Sequence, residues 1–389
     1  MSSSSEETPS IKLEPDIQEM KDESTLSSSS SLSGASLSHT LLRYYKNYFP
    51  TALICQWLTH TAIESHTHMN QREWSFKTVT SDDISIRYVA FEPEHHFQAY
   101  LINSLPTRLD LGPIYASSLL AFQQLKQSKN SVERHQEHPA IEYKELVFDI
   151  DIQDYDASLR TCCSKQSKSL CPKCWPILSV AARLMQWGLC HKWGFQDVLC
   201  VFSGRRGIHL WVKDSVASTF CTSTRRRLLK HLGKAFVESR AELKNVFETY
   251  VYPMIQQFVK DQAYQTVPAH QGFHLQIELT EGDSSRVSDG LWKDIMKRLV
   301  PKIDESVTIS TNHLLKLPFS VHPETDTKCI SITIPWESVE TFDPLQAPTL
   351  ETISASHTLF NAGIQEWKRW VPHGGVFPDG VIESNVNKH

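Results

Sequence analysis

The stretch ELVFDIDIQDYD, residues 145–156, places acidic side chains inside an apolar, β-branched run. Apolar residues alternate there as in a β-strand, whose successive side chains point to opposite faces. Asp149 and Asp151 would then share one face, roughly 7 Å apart along the backbone. Two carboxylates this close favour a bound cation, and paired aspartates holding Mg²⁺ or Mn²⁺ are typical of two-metal phosphoryl transfer. The pattern alone also fits acids on the solvent face of an edge strand.

Length and composition are those of a globular protein. The chain has 389 residues, 40% of them hydrophobic, enough for two or three folded units or for one domain with a large insertion. No apolar run approaches the roughly 18 residues that a membrane span needs, and the N-terminus lacks the basic and then apolar pattern of a secretory signal. We therefore expect no membrane association and a location in the cytosol or nucleus.

The first 38 residues differ in composition from the rest. They contain fourteen serines, no aromatic residue, and seven acids against two lysines, which accounts for the whole formal net charge of −5. Such a segment cannot bury enough apolar surface to offset the entropy lost on ordering. We predict a disordered, acidic, serine-rich tail over 1–38 and a nearly neutral folded region over 39–389.

Beyond the tail, helical and strand patterns alternate, which predicts an α/β protein. After residue 215 a 3.6-residue period with hardly any strand signal predicts a helical insertion over about 215–300. Residues 341–389 carry no assignment. The other predicted helices run from near His39 to Pro50, over 51–65 and over 177–193, and the predicted strands cover 72–79, 84–91, 146–152, a pair within 197–212, and 329–336.

Four of the nine cysteines, Cys162, Cys163, Cys171 and Cys174, lie within thirteen positions of a loop rich in serine and lysine. In a chain without an export signal, such clustering indicates metal binding before disulfides. Four thiolates complete a tetrahedral zinc site and leave no open position for a reacting water, so the zinc-binding loop 162–174 is predicted to be structural. Buried thiols that cluster by chance are the alternative.

A second polar segment, SGRRGIH, follows a predicted strand. Its glycines let backbone N–H groups approach an anion, and the forks of Arg205 and Arg206 match phosphate oxygens beside the Ser203 hydroxyl. This composition predicts a triphosphate cradle. On a strand, His209 would point away from the core face together with Trp211, and a lone histidine there is more commonly structural than functional.

The segment NHLLKLPFSVHP, residues 312–323, holds Lys316 and His322 in an apolar, proline-broken run, and Asp304 precedes it. Taken singly, such residues usually lie on the surface. Periodicity does not connect them to the aspartate pair.

Together these segments resemble one family. ELVFDIDIQDYD, the Cys-Cys and Cys-x-x-Cys-Trp loop, SGRRGIHLWV and NHLLKLPFSVHP, in this order, are similar to the catalytic small subunit of eukaryotic DNA primase, in the archaeo-eukaryotic primase superfamily. The resemblance runs from about residue 40 to 336 and is loose over 215–300. It implies an α/β fold of mixed β-sheets flanked by helices, with a structural zinc loop and a helical subdomain.

The resemblance implies a nucleotidyltransferase that makes short RNA primers from nucleoside triphosphates on single-stranded DNA. By it, Asp149, Asp151 and Asp304 match the carboxylates that bind catalytic Mg²⁺ or Mn²⁺. Phosphoryl transfer needs mainly positioning and charge stabilisation, for which acids and cations suffice. The residues that match the triphosphate contacts are Ser203, Arg205, Arg206, His209, Lys316 and His322.

Upstream segments extend the resemblance. QREWSF and SIRYVAF make Glu73 and Arg87 candidates near the nucleotide. In LPTRLDLGPIY, Asp110 is kept and Arg108 stands where the family usually carries lysine, so the positive charge is retained without the compact ammonium.

The resemblance also implies partners: a large iron-sulfur regulatory subunit, the DNA polymerase alpha complex that extends the primer, and the single-stranded template, all in the nucleus. Alternatives are a DNA-repair polymerase of the same superfamily, a nuclease, and a zinc-dependent nucleic-acid-binding module with a degenerate site. The last is expected to lack a metal-binding acid or the basic residues of SGRRG, and this chain has both.

Overall fold

The computed structural model describes residues 30–59, 68–78, 85–91, 94–127, 139–156, 159, 163, 169–263, 287–325 and 327–369. The strands are β1 (Arg72–Thr78), β2 (Ile86–Val89), β3 (Pro106–Tyr115), β4 (Ile141–Tyr143), β5 (Leu146–Asp151), β6 (Val198–Phe202), β7 (Gly207–Val212), β8 (Leu315–Lys316) and β9 (Ile332–Ile334). The helices are α1 (Ser30–Asn47), α2 (Thr51–Thr59), α3 (Glu94–Ser104), α4 (Leu119–Gln127), α5 (Trp175–Gln186), α6 (Ser215–Ser218), α7 (Thr222–Glu238), α8 (Arg240–Val246), α9 (Tyr252–Ala263), α10 (Asp289–Leu299), α11 (Glu305–Ile309) and α12 (Thr358–Arg369).

The described strands form two sheets. In the first, the order is β2-β1-β3-β4 and β8 also pairs with β3; in the second, the order is β5-β7-β6-β9. The expected sheets flanked by helices are present, but every pairing between these strands is antiparallel rather than mixed. Pairing of β1 with β2, and of β6 with β7 across SGRRG, confirms the predicted strand pairs.

The helices differ from the sequence prediction near both ends of the described region. Helix α1 begins at Ser30, so the last part of the predicted tail is helical, and residues 1–29 lie outside the described residues. Within 215–300 the described residues are helical apart from short connections such as 219–221 and 287–288, and 264–286 lie outside the described residues. Helix α12, in the unassigned stretch, packs on β9 so closely that a Cβ on Gly363 would lie 2.9 Å from the Thr333 carbonyl oxygen. None of the helices within the described ranges is long and apolar enough to cross a bilayer.

Strand β7 lies inside the second sheet with both of its faces covered. Trp211 is buried against Trp57, with ring centroids 5.9 Å apart, and His209 is buried as well. The expectation that Trp211 points away from the core is therefore wrong, whereas His209 faces a cavity lined by polar residues. Alternation separates buried from exposed residues only where one face of a sheet meets solvent.

A buried ion pair joins the two sheets. Arg72 in β1 donates two hydrogen bonds to the carboxylate of Glu145, which precedes β5, with N–O distances of 2.6 and 2.9 Å. Their side chains are only 1% and 3% exposed. Arg225 of α7 donates to the carbonyl oxygens of Lys144, Glu145 and Thr308. These bonds tie the start of β5 to β1 on one side and to α11 on the other.

Removing the carboxylate of this network should be costly. Glu145→Gln leaves Arg72 and Lys144 as buried cations without their counter-charge, so we expect the free energy of unfolding to fall by about 3–5 kcal/mol, measured by urea denaturation. Glu242→Gln is the control, because it removes only an exposed partner of Lys192 and should cost less than about 0.5 kcal/mol. Equal losses in the two variants would contradict the role of the network.

The same carboxylate should make stability depend on acid pH. Burial opposes ionisation of Glu145, but Arg72 and then Lys144 outweigh it and lower the pKa of Glu145 to about 2. A pKa lower in the folded than in the unfolded state stabilises the fold above the unfolded pKa of about 4.3. That stabilisation is lost as the pH falls towards 2. Urea midpoints measured from pH 5 to pH 2 should show this loss in the wild type and less of it in Glu145→Gln.

Candidate active site

One cavity of about 210 Å³ is lined by residues from both sheets. It brings together the aspartate pair, the SGRRG turn and the NHLLK segment, which are far apart in the sequence. Its lining consists of Arg108, Asp149, Asp151, Ser203, Arg205, Arg206, Gly207, His209, Asp304, Val307, His313, Leu314, Leu315, Lys316 and His322.

The three predicted carboxylates all line this cavity. Strand β5 presents Asp149 and Asp151, whose cross-strand partners in β7 are His209 and Gly207. Asp304 reaches the same place because its N–H donates to the carbonyl oxygen of Asp149 at 2.9 Å. Its side chain caps α11, accepting hydrogen bonds from the backbone of the first turn. Strand β5, its neighbour β7 and the first turn of α11 therefore hold the three carboxylates close together.

The electrostatics of these acids suit a cation. Burial, and after it the charge of Asp151, raises the pKa of Asp149 to about 7. For Asp304, burial acts in the same direction, but hydrogen bonds from Ser306 and Val307 outweigh it and lower the pKa. A carboxylate that resists ionisation beside a second one is stabilised by a divalent ion, and Mg²⁺ and Mn²⁺ prefer oxygen ligands. Asp149, Asp151 and Asp304 fit such an ion.

The SGRRG turn closes the β6–β7 hairpin beside the acids. The N–H of Ser203 donates to the carbonyl oxygen of Gly207 at 2.9 Å, and the N–H of Gly207 donates to Ser203 Oγ at 3.1 Å. Nη2 of Arg206 lies 3.5 Å from Oδ2 of Asp151. The buried Nε of Arg205 has no hydrogen-bond partner among the described residues. The turn thus directs guanidinium donors to the space next to the carboxylates.

Lys316 joins Arg205 and Arg206 in a cationic wall of the cavity, which the neutral imidazoles of His209 and His322 also line. Nζ of Lys316 donates to the carbonyl oxygen of Ser203 at 3.1 Å. Burial, and next the charge of Arg108, lowers the pKa of Lys316 to about 7. Burial, and next the charge of Lys316, likewise lowers the pKa of His209 to about 3 and that of His322 to about 2. A polyanion in the cavity would stabilise the protonated forms, so this wall suits phosphate.

His322 is held as a hydrogen-bond donor. The backbone N–H of Glu324 donates to His322 Nδ1 at 3.3 Å. A neutral imidazole that accepts at Nδ1 carries its proton on Nε2. The Nε2–H can therefore be donated to an acceptor oxygen.

Three predicted residues lie beside the cavity rather than in its lining. The single Nε–H of Arg108 is shared between both carboxylate oxygens of Asp110, each 2.8 Å from Nε, and Arg108 itself does line the cavity. The buried carboxylate of Glu73 forms an ion pair with Arg87, with 2.9 Å between Oε1 and Nε. Its Oε2 also accepts a hydrogen bond from the Tyr115 hydroxyl at 3.0 Å. Asp110 and Glu73 thus hold cations near the cavity.

The lining includes residues that the sequence analysis does not select. They are Val307, His313, Leu314 and Leu315. His313 lies within the NHLLK motif, which is the one signal that could have identified it, and burial lowers the pKa of its imidazole. The apolar members carry no chemical signal in the sequence.

A cluster of thiols lies between β5 and α5. The Sγ atoms of Cys163, Cys171 and Cys174 all lie within 4.8 Å of one another, and Cys162 lies outside the described residues. Burial is the main cause that raises the pKa of the Cys163 thiol. Three sulfur atoms at this spacing can bind a metal ion. The segment also contacts the SGRRG turn, because the N–H of Leu170 donates to the carbonyl oxygen of Arg205 at 3.1 Å.

Comparison with known proteins gives one consistent result. Residues 148–334 match the family model described as DNA primase small subunit, and they include the whole cavity lining except Arg108. Relatives named "DNA primase small subunit" include those of Saccharomyces cerevisiae, 30% identical over 79% of this chain and 82% of that protein, and Drosophila melanogaster, 30% over 79% and 78%. The Schizosaccharomyces pombe protein of the same name is 29% identical over 82% and 78%.

The close packing of the turn on the aspartate strand can be tested at Gly207. A Cβ there would lie 2.6 Å from the Ile150 carbonyl oxygen, between the two aspartates, so Gly207→Ala should lower the free energy of unfolding by about 1–3 kcal/mol. Gly233→Ala is the matched control: its Cβ meets open space on α7, so it should raise stability by about 0.5–1 kcal/mol. Denaturant unfolding measures both, and an unchanged Gly207→Ala would rule out this close approach.

Proposed function

Because the chain belongs to the DNA primase small subunit family, we propose that this cavity is its nucleotidyl-transfer site. The function of the chain is that of the catalytic primase subunit, a nucleotidyltransferase that makes RNA primers. The observation that carries the assignment of the site is the convergence of three carboxylates and a wall of cationic and donor side chains on one cavity.

Asp149, Asp151 and Asp304 are proposed to hold Mg²⁺ or Mn²⁺. When bound, such ions activate the attacking hydroxyl and stabilise the leaving pyrophosphate. The chain supplies the placement, since β5 carries two of the ligands and the backbone bond from Asp304 to Asp149 fixes the third. Burial, and after it repulsion from Asp151, raises the pKa of Asp149, which supports a cation at this position.

The cationic wall is proposed to bind the triphosphate of the incoming nucleotide. Donors in a dry, preorganised site stabilise the charge that develops on phosphoryl oxygens. The contacts proposed are Ser203, Arg205, Arg206, His209, Lys316 and His322. Arg108 with Asp110, and Arg87 with Glu73, are proposed to border the nucleotide from the first sheet.

The thiol cluster is proposed to be a structural zinc site, with Cys162 as the fourth ligand in the loop 162–174. The mutual spacing of the other three sulfur atoms supports it. The hydrogen bond from the Leu170 N–H to the Arg205 carbonyl oxygen connects this loop to the SGRRG turn. A metal that rigidifies the loop would therefore also brace the turn.

We further propose the wider organisation of the protein. The catalytic domain proposed for 39–389 extends back to the start of α1 and contains the helical insertion of about 215–300. The name "DNA primase small subunit" carried by the relatives supports a larger partner subunit and a DNA template. The iron-sulfur character of that subunit, the DNA polymerase alpha complex and the nuclear location are proposals from the family resemblance.

The proposed metal pair predicts a loss of activity. Asp149→Asn or Asp151→Asn should reduce primer synthesis more than about a hundredfold, because the ions that stabilise the transferring phosphoryl group lose a ligand. The assay uses purified protein, a poly-dT template, labelled ATP and Mg²⁺ or Mn²⁺. Asp156→Asn, an exposed acid outside the cavity lining, should remain near wild-type activity. A folded Asp149→Asn protein with wild-type activity would disprove the assignment.

The proposed zinc site predicts a metal content. Purified protein should contain about one zinc per chain by elemental mass spectrometry, and Cys174→Ser should lower both the zinc content and the melting temperature. Cys221→Ser, which changes an exposed thiol outside the cluster, should leave both unchanged. Wild-type protein without zinc would count against the site.

A further inference from the structure

One of the arginines proposed to bind the nucleotide already forms an ion pair with an acidic side chain. Nη1 of Arg205 forms an ion pair with Oε2 of Glu324. Arg205 lines the cavity, whereas Glu324 is not part of the lining and has 57% of its side chain exposed. We propose that Glu324 competes with the nucleotide phosphates for Arg205 and so sets the affinity of the site for nucleoside triphosphates. This inference rests on the proposed function of the cavity.

The segment that carries Glu324 is held against the SGRRG turn. The N–H of His322 donates to the carbonyl oxygen of Cys329 at 2.8 Å, and the N–H of Cys329 donates to Thr325 Oγ1 at 2.9 Å. A Cβ on Gly204 would lie 3.5 Å from the Cβ of His322, so the segment runs close beside the turn. Glu324 is therefore presented to Arg205 from a constrained backbone.

The charges around Arg205 explain why an anion is stable there. Burial is the main cause that lowers the pKa of His322, and the nearby charges of Lys316, Arg205 and Arg108 lower it further. Glu324 adds one negative charge to this cationic cluster, where a triphosphate would add several. Asp151 pairs with Arg206 in a similar way but belongs to the proposed metal site, so Glu324 is the partner that can be changed separately.

The effect of this competition on the apparent Kd can be calculated. A ligand binds Arg205 only in the fraction of molecules in which the ion pair is open, and its apparent Kd is the intrinsic Kd divided by that fraction. An exposed ion pair is weak, so its removal should improve affinity about two- to fivefold. Ligands that do not contact Arg205 should gain nothing.

The decisive variant is Glu324→Gln, which removes the charge and keeps the size of the side chain. We expect the Kd for ATP with Mg²⁺, measured by calorimetry on the full chain without template, to fall about two- to fivefold. Inorganic tripolyphosphate should gain by the same factor, and adenosine should not. In primer synthesis the KM for ATP should fall similarly while kcat stays unchanged.

Two controls isolate the contact. Glu337→Gln removes a similarly exposed acid, 64% exposed and 3.5 Å from Arg369, outside the cavity lining, and should leave the Kd for ATP unchanged. In an Arg205→Ala background, Glu324→Gln should have no further effect, because the two residues act through one contact.

Each other outcome has a definite meaning. An unchanged Kd for ATP in Glu324→Gln would overturn the competition, and a higher Kd would overturn it in favour of a role for Glu324 in positioning Arg205. Folded wild-type protein that binds no ATP would instead overturn the proposed function of the cavity.

Discussion

The ion pair between Arg72 and Glu145 is the contact on which the arrangement of the cavity depends. It joins β1 of the first sheet to the residue before β5 of the second, and the cavity is lined from both sheets. Arg225 connects the same point to α11 through the carbonyl oxygen of Thr308, and Asp304 caps that helix. Because a buried, two-bonded ion pair has a narrow geometry, contacts outside the cavity set the relative positions of the acids within it.

Around this frame the cavity has an acidic wall and a cationic wall, which meet where Arg206 lies 3.5 Å from Asp151. The carboxylates of Asp149 and Asp151 lie on one strand, and the cations come from the turn and from β8. Burial weakens ionisation on both walls, raising the pKa of Asp149 and lowering that of Lys316. Each wall is thus prepared for a ligand of opposite charge, which is the division that metal-assisted phosphoryl transfer requires.

Much of this arrangement follows from local patterns. The strand through FDID and the paired strands around SGRRG were predictable because alternation and turn chemistry are short-range properties. Asp304, Lys316 and His322 carry no such signal, and only family resemblance identified them. The error at Trp211 has a physical cause: a strand covered on both faces has no solvent side for alternation to reveal. Only the folded structure shows that His313 and the apolar residues Val307, Leu314 and Leu315 line the cavity.

By itself, the sequence determined the chemical groups available and the local elements that carry them: paired acids on a strand, arginines in a glycine-bounded turn, and clustered thiols in a polar loop. The tertiary structure alone decided that Lys316 reaches Ser203 and that Glu324 meets Arg205. These contacts depend on β8 pairing with β3 and on a loop packing against a turn more than a hundred residues away. Pairings over such distances are set by how the two sheets bury their shared core, which no local pattern records.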